Sequence, residues 1–185
     1  MTADALAPRS RRPRVRLRPR GRGAGPVLAG LDPRAWHVTR DVAWPGRPGV
    51  RLGHLVVGPP GVLVVRTAWA GGTRSRGGSP RGEGSRHRRD LEEAAEAAGL
   101  VATVLGPDAG PRPAPGGVAV LGVLSVAGSP SSTVTGWIGE VLCCGRGDLL
   151  TVIGSLATRL DAEQVAGLGG DLTARLRAPG AQAGA

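Results

Sequence analysis

The chain has 185 residues and a formal net charge of +10, from 24 basic residues, 14 acidic residues and three histidines counted as neutral. This length is typical of one domain with short flanking segments. The longest uninterrupted apolar run, residues 118–124, is far shorter than the roughly 20 residues that span a bilayer. The Arg-rich start is not followed by the apolar region of a signal peptide, so we expect no membrane partner and a cytoplasmic location.

The positive charge is concentrated at the start of the chain. Residues 1–24 contain eight Arg and one acidic residue, whereas the rest of the chain contains sixteen Arg and thirteen acidic residues. Interleaved prolines and like charges leave this segment no apolar face to bury, so we predict a disordered arm. Such an arm either binds phosphate backbones and other anionic surfaces or is a solvated extension that reflects codon bias. Residues 178–185 form a second predicted disordered tail, which leaves one domain over residues 25–177.

Three consecutive strands are predicted after the arm. Their sequences are WHVTRDVAW, VRLGHLVVG and GVLVVRTAW, over residues 36–44, 50–58 and 61–69. Apolar residues alternate in the first strand, which is typical of one buried face. The middles of the second and third strands are continuously apolar, which predicts burial on both faces of the sheet. The intervening PPG sequence predicts a tight turn.

A loop, a helix and two further strands are predicted next. Residues 71–89 are rich in Gly, Ser and Arg, and we predict a flexible loop there. A helix with Asp90 as its N-cap follows, because apolar residues recur at helical intervals as far as Leu105. The sequences GGVAVLGVLSVAG and GWIGEVLCCG predict strands over residues 116–128 and 136–145.

Two short helices are predicted to close the domain. Asp148 is placed to cap the first, over residues 149–160. Asp161 opens the second helix, with Gln164 at the position of a capping box. Glycines weaken this second helix, so it needs tertiary support. Its predicted core face consists of Val165, Leu168, Leu172 and Leu176.

The order of these elements and the sequence VTRDVAWPGRPGVRLGHLVVGPPGVLVVRTAWAGG resemble the nuclease-related domain family, known as NERD. The resemblance covers residues 27–177 and is sharpest between Asp41 and Gly71, where WPG, HLVVGP and W-x-G match the family's pattern. It implies the restriction-endonuclease-like fold of that family. This is an α/β architecture with a mixed central sheet of about five strands flanked by helices.

The chemistry that the resemblance implies is metal-dependent cleavage of phosphodiester bonds. Acidic residues at neighbouring strand ends hold Mg²⁺, which activates water, and a lysine positions the nucleophile. The resemblance places the first acid at Gly53 and the second at Arg66. It places the lysine at Ala68, or at a one-residue deletion if Trp69 is aligned instead, in a chain without any lysine. We call these three positions the remnant site. Because Arg66 is a permanent cation where a metal ligand belongs, the resemblance implies a degenerate site with no catalytic residue, metal or cofactor.

A few other residues are candidates for chemistry. His54 lies within the retained motif, and it either contacts a phosphate, acts as a base or is simply a hydrogen-bonded strand histidine. Asp41 and Glu140 are the acids inside predicted strands, and they are either substitute metal ligands or solvent-facing side chains. The two cysteines, Cys143 and Cys144, are adjacent, which excludes a disulfide framework. We expect them in a strand, with one of them buried.

The Arg-rich loop contains the predicted nucleic-acid contacts. Flexible Arg and Gly segments bind DNA or RNA through phosphate groups, largely without sequence preference. The alternative is a codon-biased insertion that binds nothing. The predicted contact residues are Arg74, Arg76, Arg81, Arg86, Arg88 and Arg89.

The sequence supports three hypotheses about function. The first is a catalytically inactive nuclease-related domain that binds nucleic acid non-specifically. The second is an active metal-dependent DNA nuclease that uses substituted acids. The third is a structural or protein-interaction module that retains the fold alone. Metal-dependent cleavage separates the second hypothesis from the others, and salt-sensitive binding separates the first from the third.

Overall fold

A computed structural model describes residues 23–69, 81–128 and 135–177 of the chain, without the side chains of residues 81–86. Four helices lie in these ranges: α1 (Gly25–Leu28), α2 (Arg81–Leu105), α3 (Leu149–Gly154) and α4 (Ala162–Arg177). None of these four is long and apolar enough to cross a membrane. The predicted arm lies outside the described residues except for Gly23 and Ala24, and the predicted tail lies outside them entirely.

The sheet has seven strands, namely β1 (His37–Ala43), β2 (Arg51–Gly58), β3 (Gly61–Trp69), β4 (Ala109–Gly110), β5 (Val118–Ala127), β6 (Gly136–Ile138) and β7 (Val141–Gly145). The strand order is β1-β2-β3-β5-β7-β6, and the short β4 pairs with β5. The first three strands are antiparallel, β3, β5 and β7 are parallel, and β6 is antiparallel to β7. The predicted α/β class, a mixed sheet flanked by helices, is confirmed, with more strands than predicted.

The central strands are buried on both faces because helices cover both. Along β3, Val62 and Val64 pack in the cluster that includes α2 and α4, whereas Leu63 and Val65 pack in the cluster that includes α1 and α3. We call these the α2/α4 face and the α1/α3 face. Alternate residues of a strand point to opposite faces, so two covered faces require a continuous apolar run. The prediction of burial on both faces is confirmed.

The start of α2 differs from the prediction. The helix begins at Arg81, so the predicted loop over residues 71–89 is wrong for its last nine residues. The sequence RGEGSRHRR there contains no apolar residue, and helical periodicity therefore gives no signal. Each residue added to a nucleated helix contributes one backbone hydrogen bond, and Arg and Glu are good helix formers. Asp90 consequently lies inside α2 and does not cap it.

The last predicted strand is a hairpin. A turn at Gly139 and Glu140 divides residues 136–145 into β6 and β7. Gly139 has a φ of 60°, in the left-handed region that glycine adopts without steric strain. Glu140, which was predicted inside a strand, therefore lies in the turn. Both cysteines are buried in β7, whereas one buried cysteine was predicted.

The two C-terminal helices follow the predicted order. Asp148 precedes α3 without a capping hydrogen bond from its side chain, and α3 ends at Gly154 instead of Leu160, because glycine is a poor helix former. Asp161 and Gln164 form the predicted capping box: each side chain accepts the other's backbone N–H, at 2.8 and 2.9 Å. Of the predicted core face of α4, Val165, Leu172 and Leu176 are buried, and Leu168 packs partly buried against them.

Candidate functional site

The strands around the remnant site are distorted. The ladder between β1 and β2 contains a bulge, in which Arg40 and Asp41 lie opposite the single residue His54. Asp41 has a φ of 52°, the one positive value among the described residues other than glycine. The ladder between β2 and β3 runs from Gly58 to His54 and stops before Gly53. Bulges redirect side chains and are common near functional sites.

Gly53 has a backbone conformation that excludes an acidic side chain. Its φ is 114°, in the range that favours glycine. A Cβ atom at this position would lie 2.5 Å from the carbonyl oxygen of Val65. A side chain here would therefore force β2 and β3 apart, so the backbone does not admit the acid that the resemblance implies at this position.

The Arg66 guanidinium is held by groups from strand β2 and helix α2. Its Nη1 donates to the carbonyl oxygens of Arg51 at 2.9 Å and Leu52 at 3.3 Å. Its Nη2 donates to Oε2 of Glu93 on α2 at 2.5 Å, and the two side chains are 18% and 29% exposed. Glu93 also accepts Nε of Arg89 at 3.0 Å. The cation at the position of the second acid is thus neutralised within the protein, by a carboxylate that already has two basic partners.

Trp44 lies in the β1–β2 connection and is buried in the cluster that includes α2. Two arginines stack on it. The guanidinium carbons of Arg47 and Arg66 lie 4.6 and 5.8 Å from the ring centroid, within the range of cation–π contacts. Arg47 also forms a two-point ion pair with Glu96, with Nη1 to Oε2 at 3.1 Å. Glu93 and Glu96 lie one turn apart on α2 and pair with Arg66 and Arg47, respectively, so two carboxylates balance the two stacked arginines. The cluster is electrically neutral and joins the start of β2 to α2.

Ala68, at the lysine position, is part of the apolar core. It is 2% exposed and packs with Ala94 of α2 and Leu124 of β5. This position contributes neither a charge nor a hydrogen-bonding group to the remnant site.

The candidate substitute acids lie at opposite edges of the sheet. Asp41 belongs to β1, and Glu140 lies in the turn beside β6, the strand at the other end of the order. The described residues contain no group of three or more His, Cys, Asp or Glu side chains that could hold a metal ion. The Mg²⁺ that the resemblance implies does not fit the residues at the remnant site, which provide no metal-dependent step.

His54 lies on the α1/α3 face, away from Arg66 and α2. A Cβ atom on Gly25 of α1 would lie 3.4 Å from His54 Cε1 and Nε2, so α1 covers the ring. Burial lowers the pKa of His54, which Asp41 raises and Arg40 lowers further. Its buried Nδ1 has no hydrogen-bond partner among the described residues. A covered histidine of lowered pKa contributes no positive charge to a phosphate at neutral pH.

A row of polar side chains crosses the α1/α3 face. Thr67, Ser125 and Cys144 are neighbours in the ladder of β3, β5 and β7. Thr67 Oγ1 accepts the N–H of Ala24 at 3.1 Å, and Ala24 is fully buried although it was predicted as the last residue of the arm. Ser125 is also fully buried, and its Oγ has no partner in the part of the chain that the structure describes. Burial raises the pKa of Cys144 to about 11, so the thiol stays protonated and is not a nucleophile.

The predicted nucleic-acid contacts are divided. Two lie outside the described residues and four lie in the first turns of α2; the former are Arg74 and Arg76, and the latter are Arg81, Arg86, Arg88 and Arg89. The side chains of Arg88 and Arg89 are exposed, and Arg89 pairs with Glu93. The structure therefore brings four of the six arginines to one end of a helix, and one of them, Arg89, shares the Glu93 carboxylate with Arg66.

A second basic feature lies at the β1 edge of the sheet, beside the last turn of α4. A cavity of about 310 Å³ is lined there by residues that include Thr39, Arg40, Asp41, Arg51, Thr173 and Arg177. We call it the edge groove. Sequence reasoning missed it because Arg40 and Arg177 come from opposite ends of the domain, and only the packing of α4 on β1 brings them together.

Comparisons with protein-family models, curated proteins and solved structures find no match for this chain. The resemblance to the NERD family stays a prediction from the sequence between Asp41 and Gly71. A nuclease-related function is therefore a proposal, and the contacts of Arg66 are the structural observation on which it rests.

Proposed function

We propose that the chain is a non-catalytic, nuclease-related scaffold that binds nucleic-acid phosphates without cleaving them. The observation that carries this proposal is the Arg66 guanidinium, which lies between two backbone carbonyls and the Glu93 carboxylate at the position where the resemblance requires a metal-binding acid. A guanidinium has no lone pair to offer a metal ion, so this position provides no ligand for a divalent cation. The restriction-endonuclease-like fold and the cytoplasmic location expected from the sequence belong to the same proposal.

The start of α2 supports the binding of phosphates. Residues 81–89 contain four arginines and one glutamate, at the end of the helix where the backbone dipole adds positive potential. Both charges attract a phosphate backbone, largely without regard to its sequence. The cluster around Trp44, which includes Arg66 of the remnant site, adds no net charge, because Arg47 and Arg66 are paired with Glu96 and Glu93. Phosphate contacts are therefore expected beside the remnant site and not within it.

A protein-interaction module is the second candidate, and one observation favours it. Trp137 and Ile138 on β6 are 53% and 45% exposed. Because β6 is an outer strand of the sheet, these apolar side chains lie next to backbone N–H and C=O groups that pair with no other strand among the described residues. An edge of this kind can pair with an extended segment of another protein.

The first test measures binding and cleavage on the same sample. Full-length protein is titrated into fluorescent DNA and RNA oligonucleotides in EDTA at several salt concentrations, and Mg²⁺ or Mn²⁺ is added afterwards. We expect binding in EDTA with a log–log salt slope of about −0.9 for each phosphate bound on duplex DNA. We also expect intact oligonucleotides after the metal is added. Metal-dependent cleavage that Asp41→Ala or Glu140→Ala abolishes would support the active nuclease instead.

Two variants of equal charge locate the bound phosphates. The first removes three arginines from α2 (R81Q/R86Q/R88Q), and the second removes three exposed arginines elsewhere (R34Q/R112Q/R159Q). The α2 variant should flatten the salt slope by about one unit for each phosphate that it no longer binds, and the control should leave the slope near that of the wild type. Equal effects would show that binding depends on net charge alone. If the wild type does not bind at low salt, the protein-interaction module replaces this proposal.

A further inference from the structure

The edge groove contains an excess of positive charge. Three exposed arginines, Arg40, Arg51 and Arg177, line it against one carboxylate, that of Asp41. Arg51 donates from Nη1 to the backbone carbonyl of Asp41 at 2.8 Å and leaves the carboxylate unneutralised. Among the described residues, the side chains of Arg40 and Arg177 form no hydrogen bond or ion pair. The groove therefore has a net charge of +2 that its neighbours do not balance.

Paired arginines elsewhere in the domain provide the contrast. Arg47, Arg66 and Arg175 face the carboxylates of Glu96, Glu93 and Asp171, respectively. Like charges that converge on one cavity repel one another, and an anionic ligand relieves that repulsion. Among the cavities lined by described residues, the edge groove combines several arginines with an open volume.

The floor of the groove is a hydrogen-bonded chain with a fixed direction. Thr173 donates its hydroxyl hydrogen to the Gly169 carbonyl at 2.8 Å, so it accepts from Thr39 at 2.9 Å. Because the one hydroxyl hydrogen of Thr39 is then used, His37 Nε2–H donates to Thr39 Oγ1 at 3.2 Å. Both hydroxyl hydrogens are committed to the protein. A bound anion must therefore be held by the arginines and not by the floor.

The wall of the groove is the bulge in β1, which is already in a defined conformation. Asp41 has a φ of 52°, which Asp and Asn adopt more readily than most residues. The bond from Arg51 fixes the carbonyl of Asp41 in this conformation. A preformed wall reduces the ordering that a ligand must impose when it binds.

From this geometry we propose that the edge groove binds a phosphate group with a neighbouring hydroxyl, the chemistry of a ribose phosphate. The guanidinium groups of Arg40 and Arg177 match phosphate oxygens with paired hydrogen bonds. Asp41 would repel a bare anion, but its carboxylate can accept a hydrogen bond from a hydroxyl beside the phosphate. The cavity of about 310 Å³ lies at the lower end of the range for small-molecule sites, about 300–1,000 Å³. This volume accommodates a phosphate together with its sugar.

Two ligands contain this group, an RNA strand and a free ribonucleotide. The RNA form rests on the proposed function, because it makes the groove one of the phosphate-binding surfaces of a nucleic-acid-binding protein. The ribose hydroxyl next to the phosphodiester is the group by which proteins distinguish RNA from DNA. For both sources we expect the ribose ligand to bind more tightly than its deoxyribose counterpart, because only the ribose hydroxyl can donate a hydrogen bond to the Asp41 carboxylate.

The test compares four full-length proteins: the wild type, R40Q/R177Q, D41N and the control R34Q/R112Q, which removes equal charge from exposed positions elsewhere. The probes are a ribonucleoside 3′-monophosphate, in which the 2′-hydroxyl lies next to the phosphate, its 2′-deoxy counterpart, and labelled single-stranded RNA and DNA of one sequence. Calorimetry measures the mononucleotides and fluorescence anisotropy measures the strands. Asn tolerates a left-handed φ, so D41N keeps the bulge, and thermal melts verify that every variant is folded.

We expect R40Q/R177Q to weaken binding of the ribose probe by about tenfold or more, and the control to change it less than about twofold. D41N should remove the preference for ribose over deoxyribose, and a retained preference would overturn the assignment of Asp41. If R40Q/R177Q and the control weaken RNA binding equally, the groove proposal fails and the proposed function stands. Binding of the mononucleotide without RNA would support the groove and contradict the proposed function. No binding of any probe by the wild type would overturn both.

Discussion

Replacing Glu93 with Gln removes the carboxylate that neutralises Arg66 and keeps nearly the same shape. The pair is partly buried, at 18% and 29% exposure, and Arg66 is also bonded to two backbone carbonyls, so it cannot turn into water without losing them. Breaking a buried ion pair destabilises a protein by about 3–5 kcal/mol, whereas an exposed pair contributes about 0–1 kcal/mol. Because this pair is intermediate and the amide oxygen still accepts a hydrogen bond, we expect E93Q to reduce the free energy of unfolding by about 1–2 kcal/mol.

E96Q is the matched control, because the Arg47–Glu96 pair lies one turn away on α2 with side chains 47% and 48% exposed. Its loss of stability should not exceed about 0.5 kcal/mol. Urea unfolding followed by tryptophan fluorescence measures the free energy of unfolding of both variants. In a separate thermal melt, the midpoint of E93Q should fall by about 2–8 °C. Equal losses of stability in the two variants, or no loss in E93Q, would refute the conclusion that Arg66 is fixed by its partner on α2.

Gly53→Asp should destabilise the fold by more than about 2 kcal/mol in urea unfolding, because its Cβ meets the Val65 carbonyl; a neutral effect would contradict the backbone argument. Deletion of residues 1–22 should leave the melting midpoint unchanged, whereas a deletion that also removes Ala24 should lower it, because this residue is buried and bonded to β3. Burial holds the pKa of His54 below its ordinary value of 6.5, so the unfolded chain binds this proton first as the pH falls. Stability should therefore decline below pH 6.5 in the wild type, and a decline of the same size in His54→Gln would assign it to another group.

The sheet could be predicted because its signals are local. Alternation in β1 and continuous apolar runs in β2 and β3 depend on neighbours along the chain, and so does the capping box of Asp161 and Gln164. Where the local signal was absent, the prediction failed. The first turns of α2 have no apolar residue, and the turn at Gly139 is a single glycine in an otherwise strand-like sequence.

The candidate site could be predicted only in part, because its partners are distant in the sequence. The resemblance predicts a metal-binding acid at the position of Arg66. The partner that neutralises Arg66, Glu93, belongs to a helix whose packing on β3 the sequence does not specify. The conformation of Gly53 depends on irregular strand pairing. The edge groove joins Arg40 to Arg177, and neither residue shows a binding role by itself.

A calorimetric titration of Mn²⁺ into full-length protein tests most directly the proposal that this chain is a scaffold without a catalytic metal site. We expect no saturable binding, because the two positions where the resemblance implies acids hold a fixed guanidinium, Arg66, and a glycine, Gly53, whose backbone admits no side chain. E93Q, which removes the nearest carboxylate, should give the same result. Saturable binding of Mn²⁺ to the wild type that either Asp41→Asn or Glu93→Gln abolishes would contradict a non-catalytic scaffold.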